Sequence, residues 1–393
     1  MKKAILGTTA LVAVSALAVG NASAADKIKL GVTGYMQSTY YIADYDNDKG
    51  STAGNNLLDR TSDRVTQEGE IHFTGSTVLD NGIKFGVNVQ LEAYQANDQI
   101  DETFVYVQGS FGRVLLGSED SANYLMHYDA PSPVPMYSAD SPNIYPIGVT
   151  NSTRGTMFSD SDKITYFTPR FAGFQLGASY VPDASSETGQ HSAYSPTQIE
   201  GGKDRGYSLA VNYVNKFGGV DLAVSGGYNL VEIGDTQTYT GAFLTTTATD
   251  GEVTLNNTDG VSYTKSSAAE DESEYTLGAQ VGFAGFTVGG GYRQQQDVGG
   301  VKDADRKTWS AGVKYGMGPW AVGVQYSDQT QDVSGGSDRT LENWVVGGQY
   351  TLGPGITAFG GVEFYKNDGV QNGSGTAIDG DSTIYFVGTA LSF

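Results

Sequence analysis

Apolar side chains recur at every second position through most of this chain. Ile83, Phe85, Val87, Val89, Leu91 and Ala93 share one parity, and Lys84, Gly86, Asn88, Gln90 and Glu92 share the other. At 100° per residue this pattern would scatter apolar groups round a helix; at 180° it separates two faces, so it predicts a strand. Leu79-Asp80-Asn81-Gly82 precedes it, and an Asn-Gly pair accepts the positive φ of a tight hairpin. The last segment repeats the alternation, with Tyr385, Val387, Thr389, Leu391 and Phe393 on one face and Gly388, Ala390 and Ser392 between them.

The same parity test predicts sixteen strands, at 27–41, 66–78, 83–94, 101–109, 113–118, 161–168, 174–181, 205–216, 220–231, 273–283, 286–296, 307–316, 320–330, 341–352, 356–366 and 382–393. Their connections alternate. Tight ones, such as Ser110 to Gly112, Ala284-Gly285 and Met317 to Pro319, are followed by long ones at 42–65, 95–100, 119–160, 182–204, 232–272, 297–306, 331–340 and 367–381. An even, antiparallel barrel in a membrane sorts its connections this way, with short turns at one rim and long loops at the other. A soluble sandwich has no reason to. Trp309 and Tyr315, Trp320 and Tyr326, and Trp344 and Tyr350 fall near opposite ends of outward faces, as interfacial girdles require. The expected fold is all-β: a closed 16-stranded antiparallel transmembrane β-barrel with short periplasmic turns and long external loops.

The N-terminal segment sets a compartment. Lys2 and Lys3 precede fifteen apolar or small residues, Ala4 to Ala18, and Ala22-Ser23-Ala24 gives a small-x-small cleavage pattern. Residues 1–24 are therefore expected to be an export signal and 25–393 the barrel. After Ala24 no run nears the ~18 apolar residues of a membrane helix, but strand crossings leave no such run. Without Lys2 and Lys3 the 23 basic side chains become 21, and 21 against 44 acids gives −23, which repels nucleic acid. The absence of cysteine excludes disulfides and thiolate metal sites. Glycine is abundant at 54 of 393, but 25 Tyr and 16 Phe exclude the disordered class that glycine often marks. In a barrel, glycine relieves crowding on curved strands.

No catalytic constellation is present. The three histidines are His72, beside Glu70 on an inward face, and His127 and His191 in loops without triad or metal-set neighbours. The chain is expected not to be an enzyme. The informative segment is the loop 119–160, which holds Pro131, Pro133, Pro135, Pro142 and Pro146, half of all the prolines. A long, stiffened loop of this kind is usually functional. It is expected to fold back into the lumen, where Glu119, Asp120, Asp129 and Asp140 would bring acids to a constriction; a flexible external loop is the alternative. Asp44, Asp46 and Asp48, or Glu270, Asp271 and Glu272, are external acids that could gather Ca²⁺ weakly. No other cofactor is expected.

The run Phe111-Gly112-Arg113-Val114-Leu115-Leu116-Gly117-Ser118-Glu119-Asp120-Ser121-Ala122 resembles the fifth strand and loop entrance of general bacterial porins, most of all their alphaproteobacterial branch. Asp162-Lys163-Ile164-Thr165-Tyr166-Phe167-Thr168-Pro169-Arg170 is similar to that family's next hairpin, and Phe393 to the terminal assembly signal of outer-membrane barrels. The resemblance implies a homotrimer in the outer membrane, among lipid and lipopolysaccharide, each barrel with its own water-filled pore. It also implies that loop acids face basic residues on the wall. By inward parity these are Lys29, Lys84 and Arg113, with Arg293 and Lys314 further round. Small hydrophilic solutes and ions would diffuse passively, with mild cation preference because acids dominate. A substrate-selective channel for sugars or organic acids is the alternative.

Overall fold

The computed structural model describes residues 27–46, 60–93, 100–139, 142, 144, 151–184, 203–234, 236–240, 246–249, 252–255, 262–266, 270–332, 338–369 and 379–393. The expected export signal lies outside them. Sixteen strands form one closed barrel. Numbering the barrel alone, they are β1 (Lys29–Asp46), β2 (Arg60–Val78), β3 (Lys84–Glu92), β4 (Thr103–Gly109), β5 (Gly112–Ser118), β6 (Asp162–Phe167), β7 (Phe174–Val181), β8 (Lys203–Phe217), β9 (Val220–Ile233), β10 (Glu272–Phe283), β11 (Phe286–Gln296), β12 (Arg306–Met317), β13 (Trp320–Gln331), β14 (Arg339–Gly353), β15 (Ile356–Asp368) and β16 (Gly380–Ser392).

Every strand pairs antiparallel with the next, and β16 closes on β1 in a register running from Tyr35↔Ser392 to Asp46↔Asp381. Phe393 completes that seam, exchanging backbone hydrogen bonds of 2.9 and 3.0 Å with Gly34. The expected tight turns are where the pattern put them. At the Asn-Gly turn Gly82 has φ +80°, and the Asn81 side chain accepts the Ile83 N–H at 3.1 Å. Between β10 and β11, Ala284 and Gly285 both take positive φ, as a two-residue hairpin requires.

Parity sets the two faces. Leu30, Val32, Val105, Leu116, Leu209, Val288 and Val322 are exposed outward, where hydrocarbon would cover them. Outward aromatics form rows of tilted rings: Trp309, Tyr326 and Trp344 lie 4.9 and 4.5 Å apart by ring centroid, and Trp320 lies 4.4 Å from Tyr350 near the other rim. Polar groups such as Gln37, Thr276, Gln325, Ser327 and Asn343 point inward and are buried. The buried core among the described residues is therefore inside the barrel, and the described residues of 119–160 supply material that fills it.

Two departures from the pattern concern height. The first hairpin is taller than expected, with β1 reaching Asp46 and β2 starting at Arg60, because a ladder continues in water where no lipid enforces alternation. By contrast β4, β5 and β6 have only 7, 7 and 6 residues. A tilted strand needs roughly 9–11 residues to cross the apolar layer. The wall is low there. The 232–272 connection, expected as plain loop, holds two small antiparallel pairs, 236–240 with 262–266 and 246–249 with 252–255.

Candidate pore constriction

The segment that leaves β5 turns into the lumen at once. Ser121 caps a single helical turn, α1 (Ala122–Leu125), its hydroxyl accepting the Tyr124 N–H at 3.4 Å. From there the chain is tied to one strand after another. Ser179 of β7 accepts the Ala122 N–H, Ser208 of β8 accepts the Asn123 N–H, and Ser225 of β9 accepts the Tyr128 N–H, at 2.9, 3.0 and 2.9 Å. Gln280 of β10 donates to the Asp129 carbonyl at 2.8 Å, and Lys314 of β12 donates to that of Ser132 at 3.0 Å. The tip is seated by Tyr137, which donates to Glu363 of β15 and stacks at 4.3 Å on Phe386 of β16. Val134, Tyr137, Ala139 and Ile144 bury against Ala43, Val345, Phe359 and Ile384. The return limb is held as firmly, with Met157 and Phe158 packed against Val181 and Val231.

Inward-facing glycines make room for this loop. A Cβ added at Gly227 would lie 1.8 Å from Asn123 Oδ1, at Gly278 1.7 Å from the Tyr128 carbonyl oxygen, and at Gly347 2.6 Å from Val134 Cγ1. Gly291 and Gly323 face Thr153 and Pro133 at 2.4 and 3.0 Å. Much of the glycine read from composition as relief of curvature thus forms a track in which the loop lies. The loop takes up the lumen side of β7 to β16 and reaches Ala43 of β1, and the inward faces of β2 to β5 stand across from it.

Of the expected loop acids, Asp129 accepts a hydrogen bond from Arg154 Nε at 2.8 Å and is buried. Glu119 is buried at the loop entrance. Burial pushes its carboxyl up to about 7, against the opposing pull of the Asp120 N–H and of Arg113 and Lys163. Asp120 is held well above the usual range by burial, then by Asp160 and Glu119. Asp140 lies outside the described residues.

The expected basic residues separate into three groups. Lys84 and Arg113 come together: both pair with Gln108 in register, and both lie over the Tyr106 ring, at 5.6 and 4.5 Å. Arg293 and Lys314, expected opposite the loop, are beneath it. Arg293 donates to the Arg154 carbonyl at 3.0 Å and to Thr156 Oγ1 at 2.6 Å, and Lys314 to Ser132 and Gln349. Parity places them inward, but the loop covers that part of the wall. Lys29 sits exposed at the start of β1, opposite Ser76 and away from the loop entrance.

Further charged groups gather on the wall, and of them the sequence had named only Glu70, beside His72. Glu68, Glu70 and Glu92 bring carboxylate oxygens within 4.8 Å of one another on β2 and β3; Glu70, Asp101 and Glu102 do the same, as do Glu102, Glu119 and Asp120. Burial and then Asp101, Glu119, Asp120 and Asp160 raise the Glu102 carboxyl. Glu70 takes the Tyr35 hydroxyl at 2.5 Å and meets His72 Nε2 at 2.7 Å. On the loop side, Arg154 lies 5.2 Å over the Tyr124 ring. The one signal for it in sequence was its isolation, as the sole Lys or Arg in 119–160. Burial lowers His127 to about 4, so it is neutral at pH 7. Asp271 and Glu272, expected as calcium ligands, each accept a backbone N–H, from Ile233 and Gly299 at 2.9 Å; Asp48 lies outside the described residues.

A closed sixteen-stranded barrel with a loop seated in its lumen can be compared with known proteins. The sequence model of a family described as Gram-negative porin matches residues 7–370. The chain belongs to the Gram-negative porin family. No curated protein matches it. Solved structures of similar fold include the anion-selective porin from Comamonas acidovorans, at 18% identity and TM-score 0.61, with 93% of this chain and 100% of that one covered. OmpT, an outer membrane protein of Vibrio cholerae solved in a trimer form, is 14% identical over 94% of this chain and 100% of that one, at TM-score 0.56. A porin refined at 1.8 Å is 16% identical, covering 93% and 100%, at 0.54. This porin is an outer-membrane channel and not an enzyme.

Proposed function

We propose that this porin is a general diffusion channel with mild cation preference, assembled as a homotrimer. Passage is by size and charge, between the seated loop and the inward faces of β2 to β5. The observation that carries the cation preference is the group of Glu68, Glu70, Glu92 and Asp101 on that wall, which outnumbers Lys84 and Arg113 there. Rings and rows of acids raise the local concentration of cations in a narrow wet passage. The Comamonas porin of similar fold is anion-selective, so the fold leaves ion preference to the side chains. Reversal potential in asymmetric KCl tests the reading: a sign favouring potassium supports it, and one favouring chloride ends it. Saturable block by a sugar or organic acid would replace general diffusion with a substrate-selective channel.

Three outward features support the trimer. Gln67, Ser38 and Thr389 are register neighbours across β2, β1 and β16, a polar row at mid-height where lipid would leave the Gln67 amide unpaired. The outward parity of β3, β4 and β5 is aliphatic or glycine apart from Phe85, Thr103 and Ser118, so the Tyr and Trp girdle is interrupted there. The same sector holds the low wall of β4 to β6. A sector that is too short, lacks interfacial anchors and is polar at its flank fits contact with other copies better than contact with lipid.

A further inference from the structure

The wall opposite the loop sorts its charges by height. Lys29 opens β1, Lys84 opens β3 and Arg113 is second in β5, so all three stand beside the rim of short turns. Arg170 joins them from the turn between β6 and β7, donating to Gln175 and Asn212 at 2.9 and 2.8 Å. Among the described residues only two acids lie in or next to the short turns, Asp80 and Asp221, and Lys216 meets Asp221 at 2.7 Å. The other acids of this wall gather at the opposite ends of the same strands. Glu92 closes β3, Asp101 and Glu102 precede β4, and Glu119 and Asp120 follow β5. Carboxylate oxygens of Glu70, Asp101 and Glu102 lie within 4.8 Å of one another, as do those of Glu102, Glu119 and Asp120.

The backbone positions of Lys84 and Glu92, the two ends of β3, are about 27 Å apart at the usual rise of a strand. The bases lean up the wall from the rim, Lys84 and Arg113 both reaching the Tyr106 ring, so the two tiers meet part-way along it. Lys163, which enters the acid tier from β6, is buried and donates to the Glu119 and Ser159 carbonyls, and Arg154 on the loop is matched by Asp129. Short turns mark the periplasmic rim of an outer-membrane barrel, so bases lie on the periplasmic side and acids on the external side. A passage charged oppositely toward its two ends conducts unequally in the two directions. Driven one way, cations enter through the acids and anions through the bases, and both carriers are enriched; driven the other way, each enters through the tier that repels it. We propose that this channel is a rectifier that passes more current when the exterior is positive, cations then moving inward and anions outward. The device depends on the order of charges along the axis, which net charge does not supply. It rests on the reading of the protein as an open diffusion channel.

The test uses the purified full-length protein in planar bilayers. The chain has no cysteine, so biotinylated Asn81→Cys, in a short turn, shows through streptavidin added to one chamber which way each channel has inserted. A unit charge about 8 Å from a passing ion in water changes its weight about twofold. Currents at equal and opposite voltages are therefore expected to differ about twofold or more in roughly 0.01 M KCl, where fixed charges act over about 30 Å, and to converge in roughly 1 M, where they act over about 3 Å. Lys84→Glu, which carries the acids down to the rim, is expected to flatten the low-salt asymmetry, and Glu92→Gln to reduce it. Lys366→Glu makes the same change of charge at an exposed position on the outward parity of β15 and is expected to leave the asymmetry near wild type. Equal low-salt currents from a conducting wild type overturn the inference, as does the opposite polarity, or a ratio that Lys84→Glu leaves unchanged or that Lys366→Glu shifts as far. A wild-type protein giving no conductance steps overturns the channel reading itself, and this inference with it.

Discussion

Gly278 offers a direct test of the seated loop. Changing it to alanine places a Cβ 1.7 Å from the Tyr128 carbonyl oxygen and 2.9 Å from His127 Cε1. Contact distances near 3.5 Å require the loop to retreat by about 2 Å at this point. Both flanking ties, from Ser225 to the Tyr128 N–H and from Gln280 to the Asp129 carbonyl, are too short at 2.9 and 2.8 Å to survive such a shift. Losing two hydrogen bonds and overfilling a packed site together cost about 2–5 kcal/mol. The loop has the barrel wall behind it, so it can move only into the lumen. Gly278→Ala is therefore expected to lower single-channel conductance and the melting temperature read by heat-modifiable gel mobility. Gly353→Ala, where nothing lies within 4 Å of an added Cβ, is expected to change neither. Wild-type conductance and melting in Gly278→Ala would refute the seating.

Four further outcomes are expected. Because the Glu119 carboxyl ionises near 7 instead of its usual 4.5, lowering the pH from 8 to 6 adds a proton at the loop entrance; cation preference should fall over that window and the dependence should weaken in Glu119→Gln. The linkage has the same sign for stability: the contribution is full below about 4.5 and lost as pH rises through about 7, so urea melts should show more stability at the acid end of that range. Tyr137→Ala removes the stacking on Phe386 and the bond to Glu363, a loss of about 3–5 kcal/mol at the loop tip, and should appear as excess current noise from a loop no longer pinned at its far end. In purified protein reconstituted alone, a spin label at Gln67→Cys should be shielded from oxygen while one at Val324→Cys is accessible; equal accessibility would remove the trimer contact from this sector.

The barrel was legible because lipid and water impose opposite demands on alternate residues, and the demand is strongest at mid-height. It weakens above the membrane, so the tall ends of β1 and β2 and the small sheets of 232–272 escaped the parity test. The same rule put Lys84 and Arg113 on one face, and in the structure both lie over the Tyr106 ring. Parity could not say what an inward side chain meets, and Arg293 and Lys314 show the limit: both point inward, and both end under the loop. The aperiodic loop carried no face signal at all. Arg154 meets Asp129 and Tyr124, and the wall acids meet one another, only when the fold brings them together in space.

Closure of the barrel has a consequence for biogenesis. The strand that seals the cylinder, β16, pairs with β1 at the far end of the sequence, so the decisive hydrogen bonds are the most distant ones the chain makes. Such contact order makes assembly slow, and until the seam forms two bare edges are open to foreign strands. Transit to the outer membrane thus demands an escort that masks both edges, and truncation within β16 should leave an aggregating product and no smaller working channel.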